Sequence, residues 1–303
     1  MTKVLVATHS GFRAFTDTGE CEREFAGRQI NAVSVEAGGS CLAVIDEQEI
    51  WRRDSGGVWS KVATAKIGLQ SITSVGGVIF GGGTDEAATV RITPAGEVER
   101  LKGFDHVRGR NEWFAGGPPL GVRALTGTAD GTTILAAVHV GGIPRSTDGG
   151  KTWAPTIPIA FDVHEVRAHL SSANLVAAAT AVGLCVSEDG GQNWKVISES
   201  LEVKNSLALA VLPDEVLFGT SDGPFAKRSQ VWRWRIGSEG LEQVCDGLPR
   251  WLDGKIDTAW IAAGDGRAAI LDGGGNLWLS KAGSSGWKCI AANLPYAFGL
   301  LIL

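Results

Sequence analysis

The chain has 303 residues, 44% of them hydrophobic, and a net charge of −5. That is enough apolar material for a substantial core. The acidic balance, with no lysine or arginine run, argues against a general nucleic-acid binder. No apolar run approaches the ~20 residues of a membrane span. The opening MTKVLVATHSG reads as a strand rather than a signal peptide, so the expectation is a cytoplasmic protein that does not enter membranes. The five cysteines form no C-x-x-C pair, and free buried thiols are expected rather than a zinc or disulfide framework.

In chain order the sequence repeats a unit of four short strands, and no stretch carries a helical period. The third strand of each unit opens on an apolar residue: Phe12, Ile50, Val90, Ile143, Leu184, Val231 and Leu277. The intervals are 38, 40, 53, 41, 47 and 46 residues, which makes seven units in one domain over 1–303. Unit one (VLVATHS, GFRAF, ECEREF) lacks an inner strand. The final stretch, AFGLLIL at 297–303, is an apolar strand with nothing after it. Pairing it with unit one closes the repeat into a ring and removes two exposed sheet edges. Units two and three follow as INAVSVEA to VWSKVAT and LQSITSV to EVERLK. An insertion at 102–119, KGFDHVRGRNEWFAGGPP, accounts for the longest interval and reads as a loop. Units four to seven run from VRALTGT to the closing strand, and VWRWRI in unit six places its Trp rings on one face and its arginines on the other.

Units four and five carry the sharpest signal. STDGGKTW at 146–153 and SEDGGQNW at 187–194 both fit Ser-x-Asp-x-Gly-x-(Thr/Asn)-Trp, 41 residues apart. Each reads as a tight turn between strands. Ser146 and Ser187 open the turn, and Asp148 and Asp189 accept backbone N–H groups within it. Gly150 and Gly191 permit positive φ, and Trp153 and Trp194 bury a ring against the neighbouring unit. Faded versions end at Trp59 and Trp287. The motif resembles the Asp-box, or bacterial neuraminidase repeat, of the sialidase-like and photosystem II assembly factor-like propellers. The fold it implies is all-β: a seven-bladed β-propeller of four-stranded antiparallel blades. In that family the box is structural and lies away from the functional face, which carries the second-to-third-strand loops and the connections between blades.

The candidates on that face are mixed. His9 and His139 end equivalent second strands, His164 lies in the connection into unit five, and Glu47 and Asp85 occupy second-to-third-strand loops, as do Asp222 and Asp272. His9, His139 and His164 are the candidate ligands of a divalent metal, the one cofactor considered. Arg28, Arg123 and Arg167 sit at or near inner-strand starts and resemble a carboxylate clamp. With Tyr296, the only tyrosine, they match the groups that a sialidase-like glycosidase would need. The Arg-Ile-Pro motif of that family is absent, since Gly142-Ile143-Pro144 has glycine where arginine belongs. Trp113 and Phe114 in the insertion, beside Arg108 and Arg110, have the make-up of an interface hot spot. The primary expectation is a non-catalytic module that binds a protein, small molecule or carbohydrate on the loop face. The alternative is a hydrolase or lyase with its site at the channel mouth.

Overall fold

Seven antiparallel blades of four strands follow one another around a ring in the computed structural model, which describes residues 2–114, 120–280 and 286–303; in blade six Leu252–Asp253 adds a short fifth strand against Arg228–Arg235. Blade one takes its innermost strand from the far end of the chain. Ala297–Ile302 pairs with Val4–Thr8, which pairs with Gly11–Thr16 and then Gly19–Glu24. Reciprocal bonds of 2.9 Å between Lys3 and Leu303 extend the junction. The innermost strands of blades two to seven are Ile30–Val35, Leu69–Val75, Val122–Gly127, Val163–Ala168, Leu209–Val211 and Ile261–Gly264. Each touches the next, and the last touches Ala297–Ile302, which in turn touches Ile30–Val35, so the innermost strands close a ring about the axis.

The second strands explain how the blades pack. Cys41–Ile45, Ile134–Val138 and Val176–Thr180 are buried at every position. They are rich in Ala and small β-branched residues because both faces of each sheet meet a neighbouring blade near the axis. A Cβ on Gly82 would lie 2.6 Å from Val122 Cγ1, so glycine is what lets blade four approach blade three there. The apolar side chains accordingly gather between blades. One cluster joins Val75 and Phe80 of blade three to Val122, Ile134 and Trp153 of blade four.

The two sharp turns have the geometry that their residues imply. Asp189 Oδ1 accepts the Asn193 N–H at 2.9 Å and Oδ2 accepts Asn193 Nδ2 at 2.7 Å, while the Gly191 N–H donates to Ser187 Oγ at 2.8 Å. Asp148 repeats this with Thr152, and the Gly150 N–H donates to Ser146 Oγ at 2.9 Å. Gly150 and Gly191 adopt φ of 85° and 84°. Trp194 Nε1 donates to Thr156 Oγ1 of blade four at 3.1 Å, which ties adjacent blades together. The faded turn before Trp287 falls largely on residues 281–285, outside the described residues.

Three expectations change. The insertion is not a plain loop: Lys102–His106 and Arg110–Glu112 form short 3-10 turns. Trp113 is not displayed to solvent but buried, its ring 5.8 Å from that of Phe104, with Arg110 stacked 4.7 Å over it. Phe104 in turn meets Trp153 edge-on at 4.9 Å. The insertion is thus pinned down because its aromatics fill the gap beside blade four, while Arg108 and Phe114 remain exposed; residues 115–119 lie outside the described residues. All five cysteines are free, but only Cys41 and Cys185 are buried; Cys21, Cys245 and Cys289 are exposed. No helix among the described residues is long and apolar enough to cross a membrane.

Candidate functional site

A cleft of about 700 Å³ opens at one end of the central channel, on the face that carries the blade-to-blade connections. Its wall is made by a repeated backbone device. In each of blades two to five, the pairing of the innermost strand slips by one residue at its second position. The skipped residues are Asn31, Gln70, Arg123 and His164, and all four line the cleft. In blade one the same slip skips Phe298, which also lines it. A bulge leaves one residue out of the ladder and re-aims its side chain. Repeated along successive blades, it turns a polar residue from each of blades two to five, and Phe298 from blade one, toward the mouth.

The densest chemistry lies between blades four and seven. Nδ1–H of His164 donates to the Ser206 carbonyl at 2.8 Å, which turns Nε2 toward Asp162 Oδ2 at 3.4 Å. His139 Nε2 lies 3.7 Å from the other oxygen of Asp162, too long for a hydrogen bond. Asp162 has a lowered pKa, first because of its bond to His164, against an opposing effect of burial. Burial, helped by the nearby Arg123 charge, pulls the His139 pKa down to about 4, so its imidazole is neutral at pH 7. On the facing wall, Asp257 Oδ2 accepts both Lys255 Nζ at 2.9 Å and Tyr296 Oη at 3.1 Å. Burial, then the Asp257 charge, raises the Tyr296 pKa.

Arg123 stands apart from the other wall cations. Lys255 is paired, and Arg167 is bonded to Glu165. Arg123 makes no hydrogen bond or ion pair among the described residues. Burial lowers its pKa, and Asp257 and Asp162 offset this only through space. Three wall residues also keep a buried side-chain atom without a partner: Nδ1 of His139, Oδ1 of Asp162 and Nδ2 of Asn205. Buried polar groups are nearly always paired, so such a group asks for an explanation. The backbone is strained in the same place. Val140, Asp162 and Ala259 all line the cleft with φ of 50°, 47° and 61°. Left-handed φ at a β-branched residue is an outlier, and each such residue costs of order 1–3 kcal/mol.

The residues singled out from the sequence divide cleanly. His139, His164, Arg123, Arg167 and Tyr296 line the cleft. His9, Glu47 and Asp85 are exposed and lie outside its wall. Arg28 is held by Asp46 and Glu49 at 2.8 and 2.7 Å, also outside the wall. The three arginines therefore do not converge as a triad. The positions equivalent to Arg123 are Asn31, Gln70 and His164, the skipped residues of the neighbouring blades. Among the described residues no three His, Cys, Asp or Glu side chains are grouped so as to hold a metal ion. The sequence reading passed over Asp162, Asn205, Asp257 and Glu165. The one local signal for any of them was Glu165 inside the apolar run VHEVRA, two residues before Arg167 and so on the same face of the strand.

The depressed His139 pKa makes a testable contribution to stability. A base whose folded pKa lies below its unfolded value binds fewer protons when folded, so its contribution is complete above the unfolded pKa and is lost as pH falls toward the folded one. Here that window runs from the ordinary 6.5 down to about 4. In urea melts the wild type is expected to lose about 2 kcal/mol more than His139→Gln between pH about 7 and about 5. Equal losses would contradict a buried, neutral His139.

No known family and no curated protein matches the sequence. Solved structures do match in shape. Virginiamycin B lyase from Staphylococcus aureus superposes with a TM-score of 0.64 at 13% identity, over 97% of this chain and 89% of that one. An ancestral GH74 enzyme gives 0.65 at 14%, over 96% of this chain and 40% of that one. The GH74 xyloglucanase from Xanthomonas campestris gives 0.64 at 17%, over 97% and 47%. The chain thus spans less than half the length of these GH74 enzymes. At such identities the likeness extends to architecture alone, and the chain has the seven-bladed β-propeller fold.

Proposed function

We propose that the chain is a ligand-binding propeller of the Asp-box type, which takes a small polar molecule into the cleft at the channel mouth. The observation that carries this is the company Arg123 keeps: an unpaired guanidinium in a wall where His139, Asp162 and Asn205 each hold a buried atom without a partner. A desolvated polar group left unpaired costs about 1–3 kcal/mol. Several together, on strained backbone, have the character of a wall organised to bind a polar ligand. The packed insertion weighs against a large protein interface centred on Trp113. A second reading, a hydrolase or lyase, is favoured by one feature. His139 is neutral at pH 7 and borders the cleft beside Asp162, so its imidazole is free to accept a proton, as a weaker base than one with a pKa near the working pH. The structural neighbours that are named as enzymes are compatible with it.

The test is a thermal-shift screen of small polar compounds on the intact chain and on Arg123→Gln. A genuine ligand at ~100 times its Kd adds about 2.7 kcal/mol to stability, and that shift should vanish in the variant. If every hit shifts both proteins equally, the cleft is not the site. The enzymatic reading is checked by following each hit for turnover in wild type and His139→Gln.

A further inference from the structure

We infer that the molecule this cleft takes is an acidic saccharide, a sugar bearing a carboxylate beside free hydroxyls; the inference rests on the cleft being a ligand site. Charge supplies the first constraint. Arg123 is the wall cation without an anionic partner among the described residues, since Lys255 is paired with Asp257 and Arg167 with Glu165. A planar guanidinium with its donors open matches a carboxylate in geometry as well as charge.

Mixed polarity supplies the second. Arg123 and Asn205 Nδ2 offer donors, Asp162 Oδ1 needs one, and His139 Nδ1 serves either way according to its tautomer. A simple dicarboxylate or a phosphate-ester dianion brings acceptors alone. It would leave Asp162 Oδ1 unsatisfied and set negative charge against it. An ammonium group would satisfy Asp162 but enter the field of Arg123, which lies within electrostatic range of the same carboxylate. A hydroxyl donates and accepts without charge, so a carboxylate flanked by hydroxyls meets the whole set.

The rim supplies the third. Phe225 is 95% exposed and Tyr296 55% exposed, and both line the opening. Phe298, turned inward by the bulge, meets Tyr296 edge-on at 5.5 Å. Exposed aromatic faces beside a polar floor suit a ring with apolar C–H faces and a hydroxylated edge. The cleft, about 700 Å³, falls inside the usual ~300–1,000 Å³ of ligand pockets and has room beyond a single small acid.

The experiment is titration calorimetry on the intact chain with three probes: a uronic-acid trisaccharide, its carboxyl-reduced neutral counterpart, and a small hydroxy acid without a ring. The trisaccharide is expected to bind saturably, with the neutral counterpart about 10–100-fold weaker, as for loss of a charge-assisted bond. Arg123→Gln should abolish that difference, and Arg123→Lys should restore part of it. Phe225→Ala should weaken the trisaccharide about 3–10-fold and leave the hydroxy acid unchanged. Melting curves of each variant check that it is folded. Equal binding of acidic and neutral trisaccharides overturns the carboxylate, and a hydroxy acid that binds as well as the trisaccharide overturns the saccharide. If no probe binds while the screen above yields hits lost in Arg123→Gln, the class is wrong and the cleft reading stands. If those hits are absent as well, both fall.

Discussion

A chain ended after Pro295 is expected not to fold. The deletion removes Ala297–Ile302, the innermost strand of blade one, in which Ala297, Leu300, Leu301 and Ile302 are at most 4% exposed. Burial of the three large side chains alone is worth roughly 5–9 kcal/mol. A whole domain is stable by only about 5–15 kcal/mol. The deletion also strips blade seven of two partners: Trp260 Nε1 donates to the Ala297 carbonyl at 2.8 Å, and the Leu300 N–H donates to Ala259 at 3.0 Å. Val4–Thr8, buried throughout, would become an open apolar edge, and such edges recruit other chains. Circular dichroism and gel filtration of the truncated chain should show lost sheet signal and aggregation. A soluble monomer with the native spectrum would mean that the ring does not depend on its closing strand.

Glu165→Ala is expected to cost about 3–5 kcal/mol, the usual penalty for breaking a buried charged network. The Glu165 side chain is fully buried on the inner strand of blade five. Its Oε2 accepts the Leu209 N–H of blade six at 2.9 Å and the Ala259 N–H at the start of blade seven at 3.4 Å, and Oε1 accepts from Arg167. One carboxylate thus bridges three blades at the axis. Burial raises its pKa, and the Arg167 charge and the donated hydrogen bonds oppose that rise by favouring the carboxylate. Alanine would leave two backbone N–H groups and Arg167 without their acceptor. Glu165→Gln keeps an acceptor for the amides and should lose about half as much, whereas Arg167→Met leaves the carboxylate buried with its amides alone. Urea melts at neutral pH would rank the three variants. A Glu165→Ala protein within about 1 kcal/mol of wild type would be inconsistent with a bridging carboxylate.

The repeat was legible because its punctuation is local. Asp148 and Asp189 bond to residues within four positions of themselves, so eight consecutive residues carry the whole turn. The closing strand was legible too, since an apolar terminal segment and a unit short of its inner strand leave complementary edges. The insertion was half legible. Its length and glycines mark a connection, but Trp113 reads equally as an exposed anchor or a packed one until Phe104 and Trp153 are beside it. The cleft was the least legible part. Arg28, Arg123 and Arg167 look alike as inner-strand arginines, yet one is captured by Asp46 and Glu49, one is open, and one is bonded to Glu165.

Period, turn chemistry and the strand-length apolar runs decide the number of blades and how the ring shuts, because each depends on neighbours within a few residues or on edges that must be covered. The identity of the cleft wall is decided elsewhere. A one-residue slip at the head of successive inner strands turns Asn31, Gln70, Arg123, His164 and Phe298 inward. It sets them against Asp162, Asn205 and Asp257 from connections far apart in the chain. Register and convergence of that kind arise from the packing of one blade on the next, and no single segment of the chain encodes them.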